Sequence, residues 1–88
     1  MSPKKEGYTE SPGRAYSIFR SAVKKVDCAM HTIVMHTMSG MADAAAVSLE
    51  TMEWPEILGT IAGDDTVLII TKDPQTAEEV CRRLAEML

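Results

Sequence analysis

Residues 59–70 read GTIAGDDTVLII, and this stretch decides the fold. Two apolar runs flank a short polar break. Pro55 to Ala62 and Thr66 to Thr71 are expected as strands, with Ala62-Gly63-Asp64-Asp65 between them. Glycine followed by a polar residue suits a tight type II′ hairpin, because glycine tolerates the positive φ such a turn requires. Val67-Leu68-Ile69-Ile70 is apolar at every position. A strand of that kind is covered on both faces. With few helices available in the chain, one covering layer is expected from another subunit.

The elements on either side follow from their periodicity. Met41 to Met52 carries Ala42, Ala45, Ala46, Leu49 and Met52 on one stripe, which predicts a helix whose small residues allow close packing on a sheet. Ser39 is the expected N-cap, and Trp54-Pro55 ends the helix. His31 to Thr37 is rich in β-branched residues and stops at Ser39-Gly40, so it reads as a strand paired with an earlier one over Val23–Ala29. Arg14 to Val26 mixes signals. Ile18, Ala22 and Val26 recur at helical spacing, while residues 22–26 fit the start of a strand equally well. Asp73-Pro74 opens a final helix with a cap and a first-turn proline. Ala77, Val80, Cys81, Leu84 and Leu88 form its apolar stripe, with Glu78-Glu79 early and Arg82-Arg83 late, as the helix dipole favours. The expected order is β-β-α-β-β-α. That is a two-layer α/β domain of α+β type, with two helices on a mostly antiparallel sheet.

The chain has 88 residues and 45% hydrophobic content, enough for one domain. Met1 to Gly13 is rich in Ser, Pro, Lys, Glu and Gly and reads as a tail or linker, leaving 14–88 as the folded unit. A domain of that size is marginal alone and usually needs a disulfide, a metal or oligomerisation. Cys28 and Cys81 lie far apart and make no CxxC pattern, so a metal site or disulfide framework is not expected and a reducing compartment is the default. Oligomerisation remains. Net charge is −4, which disfavours strong nucleic-acid binding by the domain itself. No apolar run approaches the roughly 20 residues of a membrane span, and the N-terminus has no apolar signal region, so a cytoplasmic protein is expected.

Asp64 and Asp65 are the most unusual feature, two adjacent acids at the tip of an apolar hairpin. One reading is a turn former followed by a solvated strand start. The other is a cation site, since a carboxylate can accept the planar donor fork of a guanidinium bidentately. Asp43 and Glu50, seven apart, share a helix face with Val47 between them. That face is either solvated or turned toward the same pocket as the hairpin acids. Catalysis by the paired acids finds no nucleophile or metal-ligand set nearby. His31 and His36 are five apart on a strand and point opposite ways, and the seven methionines read as padding of a core or interface.

The run from Trp54 to Ile70 resembles the C-terminal domain of bacterial arginine repressors, whose hallmark GTIAGDDT is present in full at residues 59–66. The strand ending in residues 36–40 and the helix over 73–88 resemble the same family, so the likeness covers roughly residues 22–88. It implies a trimer that stacks into a hexamer, with L-arginine at the trimer–trimer interface and no metal. Asp64 and Asp65 match the acids that take the guanidinium, and Thr60 and Ala62 belong to the same motif. The family also uses a Gln and, seven residues on, an Asp of the preceding helix. Asp43 and Glu50 stand at those positions, and Ser39 stands where the family usually has proline. The resemblance further implies a non-enzymatic transcriptional regulator of arginine metabolism. Its winged helix-turn-helix domain, through which alone it would bind DNA, is expected to be missing here. The alternative implied by the departures is an oligomerisation scaffold whose arginine binding is lost or altered.

Overall fold

A computed structural model describes residues 12–88. Seven elements follow one another: α1 (Pro12–Ala22), β1 (Val23–Ala29), β2 (Thr32–Thr37), α2 (Ala42–Met52), β3 (Gly59–Ala62), β4 (Thr66–Ile70) and α3 (Pro74–Glu86). The strands form one antiparallel sheet in the order β1-β2-β4-β3. The α+β class and the antiparallel sheet are as expected from the sequence, but there are three helices rather than two. The tail expected over Met1–Gly13 lies, as far as residue 11, outside the described residues, and residues 12 and 13 already belong to α1.

The extra helix explains the mixed signals of residues 14–26. Its buried positions are Ala15, Phe19 and Ala22, spaced four and three apart on one helical face. Ile18 is only half-buried, and Val26 is already in β1. The two readings left open for Ile18, Ala22 and Val26 each hold for part of the segment, because a helix and a strand join without a loop at Ala22-Val23. α1 packs on α2, and both share one core with α3.

Pairing in the sheet sets the faces. Ile33 opposes Ile69 and Met35 opposes Val67, and all four are fully buried beneath the helices. The other face carries a row in which Val34 opposes Leu68 and Leu68 opposes Ile61. Val34 and Leu68 are half-exposed and Ile61 is 67% exposed. Among the described residues no helix covers this apolar row, so β4 is sandwiched on one side only. Asp27 closes the row beside Val34 and lies 3.4 Å from His36 Nε2 and 3.5 Å from Lys25 Nζ.

Three local expectations need correction. Residues 55–58 are not strand: 55 and 56 form a turn in which the Ile57 N–H donates to the Trp54 carbonyl at 3.1 Å, and pairing with β4 starts only where the Leu58 N–H reaches the Ile70 carbonyl. Proline at 55 offers no N–H to a ladder, which accounts for the late start. Ser39 does not cap α2. The N-cap is Met41, with no side-chain cap bond. The hairpin is not a type II′ turn, because among the described residues Gly40 is the one glycine at positive φ (77°). The loop is instead wide, closed by the Gly63 N–H donating to the Thr66 carbonyl at 2.8 Å.

α3 begins as its sequence dictates. Asp73 is the N-cap, its Oδ1 accepts from the Thr76 N–H at 2.7 Å, and Pro74 occupies the first turn. Ala77, Val80 and Leu84 are fully buried, Cys81 is half-buried, and Leu88 falls beyond the helix end and is exposed. The Thr76 bonds hold the Asp73 carboxyl below the usual carboxylate range. Glu56 is also lowered, first by its own backbone N–H and then by Arg83. Both groups bind protons more weakly in the folded state than in the unfolded one. Their contribution to stability is therefore full above the ordinary carboxylate range and is lost as pH falls below it. The expected result is a melting temperature that declines with acid more steeply in the parent than in an Asp73→Asn variant, followed by circular dichroism. Parallel curves would show that the cap does not titrate with folding.

Candidate functional site

The wide loop between β3 and β4 sits against the turn that leads into α2. The Ala42 N–H donates to the Asp64 carbonyl at 3.2 Å, and the Thr37 N–H donates to the Asp65 carbonyl at 2.8 Å. The Asp64 side chain is engaged as well. Its Oδ2 accepts from the Ser39 hydroxyl and from the Gly40 N–H, both at 3.3 Å. Gly40 reaches this position through its left-handed backbone, which a residue with Cβ adopts only with strain. Asp65 Oδ1 accepts from the Thr66 hydroxyl at 3.0 Å. The hairpin acids are thus fixed by backbone contacts while their carboxylates stay at the surface, Asp64 and Asp65 both being exposed.

Asp43 is in the first turn of α2, next to this docking point, and is exposed. Val47 and Glu50 follow on the same exposed face, Val47 at 53%. Glu50 stands two helical turns further on, about 10 Å along the axis at 1.5 Å per residue. There it lines a groove of about 290 Å³ with Glu53, Trp54, Ile57 and Thr60. Thr60 and Ala62 are half-buried on the helix side of β3. One chain therefore gathers Asp43, Asp64 and Asp65 at the start of α2, and Glu50 and Thr60 toward its end. It does not enclose all six candidate residues in a single pocket.

Two features escaped the sequence reading. Ser39 and Gly40 serve Asp64 rather than the helix end, a contact across 25 and 24 residues that local patterns do not reveal. The groove is walled by a loop that α3 anchors. The Arg83 guanidinium lies 4.5 Å from the Trp54 ring centroid and donates to Glu56 Oε2 at 2.9 Å. Cation–π attraction and a charge-assisted bond act together there. The left-handed Glu53 (φ 58°) makes the bend that frees Trp54 from α2.

The described residues hold no group of three or more His, Cys, Asp or Glu side chains arranged for a metal ion. None of their helices is long and apolar enough to cross a membrane. Residues 19–86 match the family model described as the arginine repressor, C-terminal domain. The chain belongs to the arginine repressor family, as its C-terminal domain. It is 49% identical over 67 residues to the arginine repressor of Bacillus velezensis, covering 76% of this chain and 45% of that protein. Against the arginine repressor of Exiguobacterium sibiricum it is 41% identical over 76 residues, 86% and 51% of the two chains. Against that of Bacillus subtilis the values are 46% over 67 residues, 76% and 45%. The chain thus spans about half the length of these curated relatives. The family is one of regulators, not of enzymes.

Proposed function

We propose that the domain senses L-arginine and couples it to assembly. The carrying observation is the pair of exposed carboxylates, Asp64 and Asp65, held by backbone bonds against the α2 entrance beside Asp43. A surface concentration of acid on rigid elements recognises a cation at little cost in ordering. A guanidinium fits the need best, because its planar fork bonds two carboxylate oxygens at once. The α-carboxylate and α-amino group of the ligand require further partners. The separation of Asp43, Asp64 and Asp65 from Glu50 and Thr60 within one chain supports a site completed by other copies.

The assembly is proposed as a trimer paired into a hexamer. The apolar row of Val34, Leu68 and Ile61 is the face for association within the trimer, since each copy leaves it bare. The exposed α2 face and hairpin tips meet between trimers. Acidic tips from −4 chains repel when opposed. Arginine places a positive charge between them, and a ligand that binds the hexamer alone stabilises it by linkage. In the whole regulator the hexamer would present DNA-binding domains, and the cytoplasm is the proposed compartment.

The Ser39–Asp64 bond favours a second reading, a scaffold with altered ligand preference. It occupies part of the carboxylate that the ligand needs, and Asp43 and Glu50 add charge and length at neighbouring positions. Sedimentation with L-arginine, citrulline, ornithine and lysine separates the two. Arginine alone should convert trimer to hexamer at micromolar protein. Citrulline, which has the shape without the charge, should be inert. Assembly indifferent to all four ligands would assign the scaffold role.

A further inference from the structure

β1 is an edge of the sheet, joined to β2 on one side. Among the described residues no strand pairs with its other side. Every second residue of such a strand turns its N–H and C=O outward, which makes the edge a template for another strand. β1 is also the longest strand of the sheet, at seven residues. Lys24, Lys25, Asp27, Cys28 and Ala29 are exposed and Val26 is half-buried. The register with β2 assigns the faces. Lys25 and Asp27 oppose His36 and Val34 on the face without helices, while Val26 and Cys28 oppose the buried Met35 and Ile33 on the helix face. α3 packs on β1 from that side, yet Cys28 stays exposed, so the helix leaves this end of the edge open. Lysines on an edge normally discourage pairing. Here Lys25 shares its face with an acid two residues on, with Nζ 3.5 Å from Asp27 Oδ2.

We propose that β1 pairs antiparallel with β1 of a second copy of this chain, about a twofold axis at Val26, and so joins two four-stranded sheets into one. Charge decides both the partner and the register. Two copies that keep their helices on one side of the joined sheet must oppose residues of the same face, so the partner of any residue changes in steps of two. With Val26 opposite Val26, Lys25 faces Asp27 of the other copy and Asp27 faces its Lys25. The neighbouring register on one side sets Lys25 against Lys25, and that on the other side sets Asp27 against Asp27. Of the three, the Val26-centred register alone opposes unlike charges. Like charges directly opposite destabilise a ladder, and unlike ones support it. Main-chain bonds supply the affinity, and the alternating charges select another copy of this chain. The contact lies on the strand edge, apart from the apolar row and from the α2 face.

The test is register-specific cross-linking. Directly opposite residues on neighbouring strands have Cα atoms about 4.5–5.5 Å apart, within disulfide range. A Val26→Cys variant oxidised with copper phenanthroline should therefore give a covalent dimer on a non-reducing gel, its mapped bond joining position 26 of both copies. The parent should stay unlinked, because in this register two Cys28 residues lie about 13 Å apart along the strands. Adding Lys25→Asp or Asp27→Lys to the variant should cut the dimer yield several-fold in each case, although one change makes the chain more acidic and the other less. An equal mixture of these two proteins should restore the yield, since each strand then meets its opposite charge. Circular dichroism checks that all of them are folded. The proposal is overturned if the Val26→Cys variant forms no dimer, if its bond maps to Cys28 of both copies, or if the charge variants cross-link as well as it does. Sedimentation of the same proteins with and without L-arginine reads the sensing role separately. A lost arginine response beside an intact cross-link would count against that role alone, and the reverse against the edge contact alone.

Discussion

An Asp64→Asn variant is expected to lose arginine-dependent hexamer formation while its trimer stays folded. Among the described residues the donors that reach Asp64 fall on Oδ2, from Ser39 and Gly40 at 3.3 Å. Among the described residues Oδ1 is left for a ligand. Asparagine keeps the shape and can keep its carbonyl toward Gly40, so docking of the loop on α2 survives. What it loses is the charge and one acceptor, and it turns an amide donor toward the guanidinium. Charge-assisted hydrogen bonds contribute about 1.5–3 kcal/mol each. Losing even one weakens arginine binding by roughly ten- to a hundredfold, and losing a bidentate pair weakens it further. Sedimentation velocity with and without arginine reads the assembly, and a urea melt without ligand checks that the fold is intact. An arginine response equal to the parent's would remove Asp64 from the site. A variant that fails to fold would make Asp64 a structural residue of the loop instead.

How much of this was legible in the sequence follows from the range of the interactions. β1, β2, α2, β4 and α3 each carry their own period, cap or break, and their boundaries agree with the structure to within one residue except at the end of α3. Asp73-Pro74 specified a helix start because the cap acts over three residues. Ser39 looked like an equally good cap, but the fold uses its hydroxyl for Asp64, a contact that exists only once β3 and β4 are in place. The hairpin acids stood out in the sequence because acids are unexpected in an apolar hairpin. Their grouping with Asp43, and the departure of Glu50 and Thr60 to a separate groove, depend on where α2 crosses the sheet. Glu53 shows the same limit. Its left-handed backbone lets Trp54 turn toward Arg83, 29 residues on, and no pattern around residues 52–56 announces that partner.

Phe19→Ala is expected to be the most damaging single substitution in the described core, and it tests the element that the sequence left open. α1 is short, and its polar positions Arg14, Ser17, Arg20 and Ser21 outnumber its buried ones. Eleven residues of this composition do not hold a helix in water on propensity alone. The helix exists because Ala15, Phe19 and Ala22 close the core above α2, and Phe19 is the one large side chain among them. It is completely buried. Truncating such a phenylalanine removes its transfer free energy and leaves a cavity, together about 3–5 kcal/mol. Marginal domains have about 5–15 kcal/mol in total, and one this small falls toward the lower end. Most of the monomer's stability would go. Urea unfolding at matched protein concentration measures the loss, since association adds apparent stability in proportion to concentration. The variant should also lengthen helix α1's exposure to proteolysis, with cleavage first after Arg14 or Arg20. A loss below about 1 kcal/mol would mean that α1 rests on the domain without completing its core. The sheet and its two remaining helices would then be the whole folding unit, as the sequence alone suggested.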